Sequence, residues 1–290
     1  MISLLLTIIL TSLILVQFKL YPKYGINTFQ SIVFNYVTAF TCGFLIFGKE
    51  WNPIFLEHGD WPYLAMISGV LFISLFLVMG LSSQKNGVAM TSVAVKMSMA
   101  LTLIFMIKFY NESLSILKIG GILFAFLGVF LMAYQKKEES TGKSYTWMLI
   151  LLFVGSAFLD IVLNYFQKYE VLNIPNPLFC AIGFGVAGLI GLVVLVLRLI
   201  RGSEKIELKN VIAGIILGVP NFFSIYFLLE SYKSSGWNDS TVLSIMNVSI
   251  VLVSALIGFV AFKENASLQK IVGLISSVLA IVLLYFATLY

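Results

Sequence analysis

Lys96 lies inside the apolar run VAMTSVAVKMSMALTLIFMI (88–107), within about two residues of its centre. A run of that length crosses the hydrocarbon core of a bilayer, which puts the ammonium roughly 3 Å from the midplane at 1.5 Å rise per residue. A charge at that depth costs about 3 kcal/mol or more unless it faces a partner, a substrate or water. The chemistry open to it is capture of an anionic group such as a carboxylate. A counter-charge stands in a second apolar run, 146–166: Asp160, with Asn164 one helical turn later on the same face. Such a pair either locks two helices together or lines a cavity and engages a substrate or a proton. Buried ion pairs add little net stability after desolvation, so a purely structural role explains the pair poorly.

Other polar side chains fall at similar depth. Ser92 lies one turn before Lys96, and Asn247 with Ser244, at helical spacing, forms a polar stripe in the run 238–261. These residues either face a common cavity or join helices by hydrogen bonds. Asn35, Tyr226 and Asn221 are further candidates for the cavity wall. The Pro220–Asn221 step is expected to break its helix and free backbone carbonyls. Gly183, Gly185 and Gly188 spell G-x-G-x-x-G, but no strand precedes them and the segment is apolar. They read as small residues for close helix packing rather than a nucleotide site. The sole histidine, His58, shares a loop with Glu57 and Asp60 and makes an improbable metal site.

The elements that carry these residues follow from composition. Hydrophobic residues make up 60% of the chain, charged residues 11%, and mean hydropathy is +1.02. A surface this apolar cannot be kept in water, and an all-α integral membrane protein is expected. Ten spans are expected near 2–19, 28–47, 62–82, 88–108, 115–134, 146–166, 177–200, 209–231, 238–261 and 267–289, the first being a retained helix rather than a cleaved signal. The net charge of +5 sits mostly in short connections, a pattern of membrane topology rather than of nucleic-acid binding. Cys42 and Cys180 lie within spans, so no disulfide framework or metal-ligand spacing is expected, and no cofactor.

The chain also repeats itself. Glu112, Lys118, Ile119 and Gly121 recur as Glu264, Lys270, Ile271 and Gly273, both fitting E-x5-K-I-x-G at an offset of 152 residues. Each motif joins the last two spans of a five-span half. An odd number of spans makes the second half enter the membrane from the opposite side, which predicts two inverted five-helix repeats (1–134 and 146–290) joined by a loop at 135–145. At the same offset Val248, beside Asn247, falls opposite Lys96.

On five plus five helices and a glutamate-bearing turn before the last helix of each half, the chain resembles the drug/metabolite transporter superfamily, specifically its ten-helix EamA-type members. Asn111 and Lys263 stand where members commonly carry glycine, and neither preceding span has the frequent proline. The resemblance implies a transporter of the bacterial inner membrane with both termini inside. The charge count implies the reverse: Lys and Arg, without Lys96, divide twelve to five in favour of the face bearing connections 1–2, 3–4, 5–6, 7–8 and 9–10.

The expected function is therefore secondary transport, by alternating access, of a small polar metabolite: an amino acid or another carboxylate-bearing solute, with a proton as a coupling partner. Lys96 holds the anionic group and Asp160 takes an ammonium or a proton. The alternative is an organic or phosphorylated anion, with Asp160 only tuning Lys96. A membrane-embedded enzyme would need clustered carboxylates or a His–acid pair, and no such arrangement is present. The partners expected are the solute and membrane lipid, with the protein a monomer or homodimer.

Overall fold

A computed structural model describes residues 2–52, 61–110, 115–133, 145–168, 175–234 and 239–289. The side chains of some helix residues, Ser244 among them, and the Glu112 turn, the His58 loop and nearly all of the 135–145 connection lie outside the described residues. Among those described, the chain forms eleven α-helices and no strand. They are α1 (Ile2–Leu20), α2 (Thr28–Phe47), α3 (Trp61–Lys85), α4 (Val88–Met97), α5 (Met99–Tyr110), α6 (Ile116–Ala133), α7 (Thr146–Lys168), α8 (Asn176–Ile200), α9 (Leu208–Ser234), α10 (Asp239–Val260) and α11 (Leu268–Leu289).

Nine described segments are long and apolar enough to cross a membrane, α4 and α5 together making one of them. Within the 22 residues of α10 the described apolar stretch is Ile245–Val260. Large apolar side chains such as Phe130, Ile150 and Leu189 are exposed on the outside of the bundle. Helices satisfy their own backbone groups, which lipid requires, and an apolar exterior suits lipid rather than water. The chain is a helical membrane protein.

Helix starts are set by local polar groups. Asn27 caps α2, its Oδ1 accepting from Gln30 N at 3.1 Å. Ser115 Oγ accepts from Lys118 N at 3.2 Å at the start of α6, and Ser267 Oγ from Lys270 N at 3.5 Å at the start of α11. The two serines hold equivalent places in the repeated motif.

Two expectations are corrected. The fourth span is not one helix: it is interrupted at Ser98, between α4 and α5. Ser98 Oγ donates back to Val95 O at 2.6 Å, and both Leu101 N and Thr102 N turn to Ser98 O. A serine bonding its own preceding turn competes with the backbone ladder and bends it. Conversely, Pro220 does not break its helix, for α9 runs through it. Proline has no N–H for the carbonyl four residues back, Ile216 O. Gln17 Nε2, on α1, donates to that oxygen at 3.3 Å instead.

The helices pack in a definite set of pairs. α6 lies along α11, α2 along both α8 and α9, and α3 against α7 and α8. α1 packs on α9 and α10, and α4 on α7 and α10. At the α6–α11 crossing, a Cβ on Gly128 would come within 2.2 Å of Ser277 Oγ and 3.1 Å of Gly273 O, so only glycine permits that approach. The G-x-G-x-x-G glycines sit on α8 against α2 and α3, where Gly188 meets the backbone of Tyr36 and Val37.

Candidate functional site

α1, α3, α4, α9 and α10 enclose a cavity of about 190 Å³ at mid-depth. Lys96 and Ser92 reach it from α4, Asn221 and Ser224 from α9, Thr7 and Thr11 from α1. The rest of the wall is apolar, with Phe76 and Met79 on α3, Leu228 on α9, and Met246 and Ile250 on α10. Lys96 is the charged residue of this wall. Among the described residues, its ammonium donates no hydrogen bond and forms no ion pair within 4.0 Å. The amide nitrogen of Asn221 is likewise without a hydrogen-bond partner. Three hydroxyls of the wall serve their own helices: Ser92 Oγ donates to Ala89 O, Ser224 Oγ to Asn221 O, and Thr7 Oγ1 to Ser3 O. Their lone pairs remain as the acceptors they offer.

Asp160 stands outside this wall. Its carboxylate accepts from Ser98 Oγ at 3.3 Å, at the interruption between α4 and α5. It is near enough to Lys96 for their charges to interact, without a direct ion pair. Asn164 shares the face of Asp160 as expected, but its amide donates to Asp160 O at 2.8 Å, within its own helix. Thr102 Oγ1 reaches Ala157 O at 3.4 Å, a further link between α5 and α7.

The remaining candidates disperse. Asn247 is buried and its amide points to the Met99 sulfur at 3.7 Å, tying α10 to α5. Ser244 lies one turn earlier on α10. Asn35 is fully buried where α2 meets α9, beside Gly214 and Gly218, and neither of its amide atoms has a partner. Tyr226 belongs to an aromatic cluster with Phe47, Phe222, Phe223 and Phe227. Of the predicted set, Lys96, Ser92 and Asn221 meet in the cavity. Thr7, Thr11, Ser224 and Ser98 were not anticipated. The i, i+4 pair Thr7–Thr11 and the i, i+3 pair Asn221–Ser224 carry a sequence signal, although serines and threonines that serve their own backbone spell the same spacing.

Along α1, one layer lies toward each end of the cavity. Toward the face bearing Lys19 and Lys85, Glu264 Oε1 accepts from Val88 N at 2.8 Å and Oε2 from Ala89 N at 3.4 Å. Glu264 therefore caps a helix start, that of α4 rather than of α11, which follows it in the chain. Lys19, at the end of α1, pairs with the same carboxylate at 3.2 Å. Gly87 makes room for it: its φ is 103°, and a Cβ there would fall 2.5 Å from Glu264 Oε2. Toward the other face, Leu4 and Ile8 of α1 pack on Val242 and Met246 of α10 in an apolar cluster. Among the described residues, no three His, Cys, Asp or Glu side chains converge as metal ligands would.

No protein-family model matches the chain. It is 29% identical over 279 residues to an uncharacterised protein of Haemophilus influenzae, covering 93% of each chain. A solved crystal structure with 12% identity superimposes with a TM-score of 0.56, over 97% of this chain and 98% of that one, a likeness of fold alone.

Proposed function

We propose that the protein is a secondary transporter of the drug/metabolite type, moving a small carboxylate-bearing solute across the bacterial inner membrane by alternating access. The observation that carries this reading is the mid-depth cavity, walled from both halves of the chain, in which Lys96 is the charged residue and forms no direct ion pair among the described residues. A buried ammonium without a directly bonded anion is costly, and a solute carboxylate supplies one. The interruption at Ser98, two residues from Lys96, fits the broken helices that build such sites.

An inverted repeat is supported by the packing. Advancing each helix by five spans turns the α2–α9 contact into α8–α3, α1–α9 into α7–α3, and α1–α10 into α7–α4. The same operation leaves α2–α8, α4–α10 and α6–α11 paired with their own counterparts. The cavity then lies at the interface of the repeats. Opening it toward the Lys19 face requires parting Glu264 from Lys19 and α4, and opening it the other way requires parting the Leu4–Val242 cluster. Asp160 acts on Lys96 through its charge from beside Ser98, which favours a tuning role over direct capture of a solute.

The test is counterflow in proteoliposomes loaded with small carboxylic acids, with protein-free liposomes as the leak control. The expected result is protein-dependent exchange that saturates with solute. Flux that rises without saturation, or no exchange of any carboxylate, would overturn the reading.

A further inference from the structure

Building on the transporter reading, we infer that the solute is a monocarboxylate with an uncharged, mainly apolar body, rather than a zwitterion such as an amino acid. Three observations on the cavity converge. The first is charge: among the described residues the wall holds Lys96 and no carboxylate, and Asp160 lies outside it, accepting from Ser98 Oγ. An amino acid's ammonium would enter a small space beside a like charge with only neutral hydroxyl and amide oxygens to accept from it. Desolvating an ammonium without a counter-ion is costly, because neither water nor an anion then stabilises its charge.

The second is the donor pattern. Lys96 Nζ and the amide nitrogen of Asn221 are donors without acceptors, and a carboxylate has two acceptor oxygens. A phosphate ester would bring about two charges to a wall with a single basic side chain. The third is the lining. Phe76 and Met79 from one side, with Leu228, Met246 and Ile250 from the other, form an apolar surface for a hydrocarbon chain or ring. The volume of about 190 Å³ suits a solute of small-metabolite size.

A matched set of three ligands separates the possibilities: 3-phenylpropionate, L-phenylalanine and 2-phenylethylamine share a phenylethyl body and differ in whether it bears a carboxylate, an ammonium or both. Binding to purified protein is read by thermal shift and equilibrium dialysis, and movement by counterflow. The expected result is that 3-phenylpropionate binds at least about tenfold tighter than phenylalanine and that phenylethylamine does not bind, the preference vanishing in Lys96→Gln. Phenylalanine binding equally well or better overturns the inference while leaving carboxylate transport intact. Binding of 3-phenylpropionate without counterflow of any ligand sustains the assignment of the site and overturns the carrier. Should none of the three bind, 4-methylpentanoate and leucine form a second pair, and failure of both acids overturns the inference. Circular dichroism and gel-filtration profiles of Lys96→Gln matching wild type exclude misfolding as the cause of lost binding.

Discussion

Lys96 and Asp160 are the two charges that the sequence places deepest in the bilayer, and the protein treats them differently. Lys96 opens onto a cavity, whereas Asp160 is engaged by Ser98 at a bend. Substituting each should therefore give different phenotypes. Asp160→Asn is expected to weaken solute binding by roughly tenfold or less, because it alters the field at Lys96 without removing a contact. Lys96→Ala removes the contact itself and leaves the buried Asp160 carboxyl without the cation whose charge it senses. The double variant Lys96→Ala/Asp160→Asn should then melt at a higher temperature than Lys96→Ala alone. A double variant no more stable than Lys96→Ala would show that the two charges do not sense one another. The depth and type of both residues could be read from sequence because an apolar run makes any charge conspicuous. Ser98 could not, since a serine in a helix bends it only where its hydroxyl has a carbonyl to bond and a neighbouring helix to receive the bend.

Helices here are joined by groups that replace missing backbone bonds. Gln17 serves Ile216 O, which Pro220 leaves free, and this link can be isolated by a double-mutant cycle. Gln17→Leu should cost about 1 kcal/mol in the wild type and close to nothing in Pro220→Ala, where the helix regains its own donor. Equal costs in both backgrounds would refute the link. Glu264 caps α4 from the turn before α11, so Glu264→Ala should lower stability by about 1–2 kcal/mol, read as a drop in melting temperature. Lys19→Met, which removes only a partly exposed partner, should cost less than about 1 kcal/mol. Gly87→Ala, with φ at 103° and Glu264 where a Cβ would be, should destabilise at least as much as Glu264→Ala. Run lengths revealed nearly all the helices, since a bilayer fixes how many apolar residues a span needs. Long-range caps such as Glu264 on Val88 escaped, because sequence periodicity carries no information about which helix start a carboxylate meets.

Taken whole, helices α1, α3, α4, α9 and α10 line a shared cavity, with the Lys19–Glu264 tie toward one end of α1 and the Leu4–Val242 cluster toward the other. In a variant with Cys42 and Cys180 replaced by serine, bridging Lys19→Cys to Glu264→Cys with a short bifunctional thiol reagent should stop exchange, and a reductant that cleaves the bridge should restore it. Unchanged exchange in the bridged protein would show that this face need not open. Lys205, exposed between α8 and α9 on the lysine-rich face, reports orientation. By the charge asymmetry, Lys205→Cys should resist an impermeant thiol reagent in intact cells and react after permeabilisation. If solute is carried in contact with Lys96, counterflow of a monocarboxylate by Lys96→Ala will reveal it. Saturable exchange by the wild type and at least about a hundredfold loss in the folded variant are expected; exchange of equal rate and affinity in both would show that Lys96 does not hold the solute.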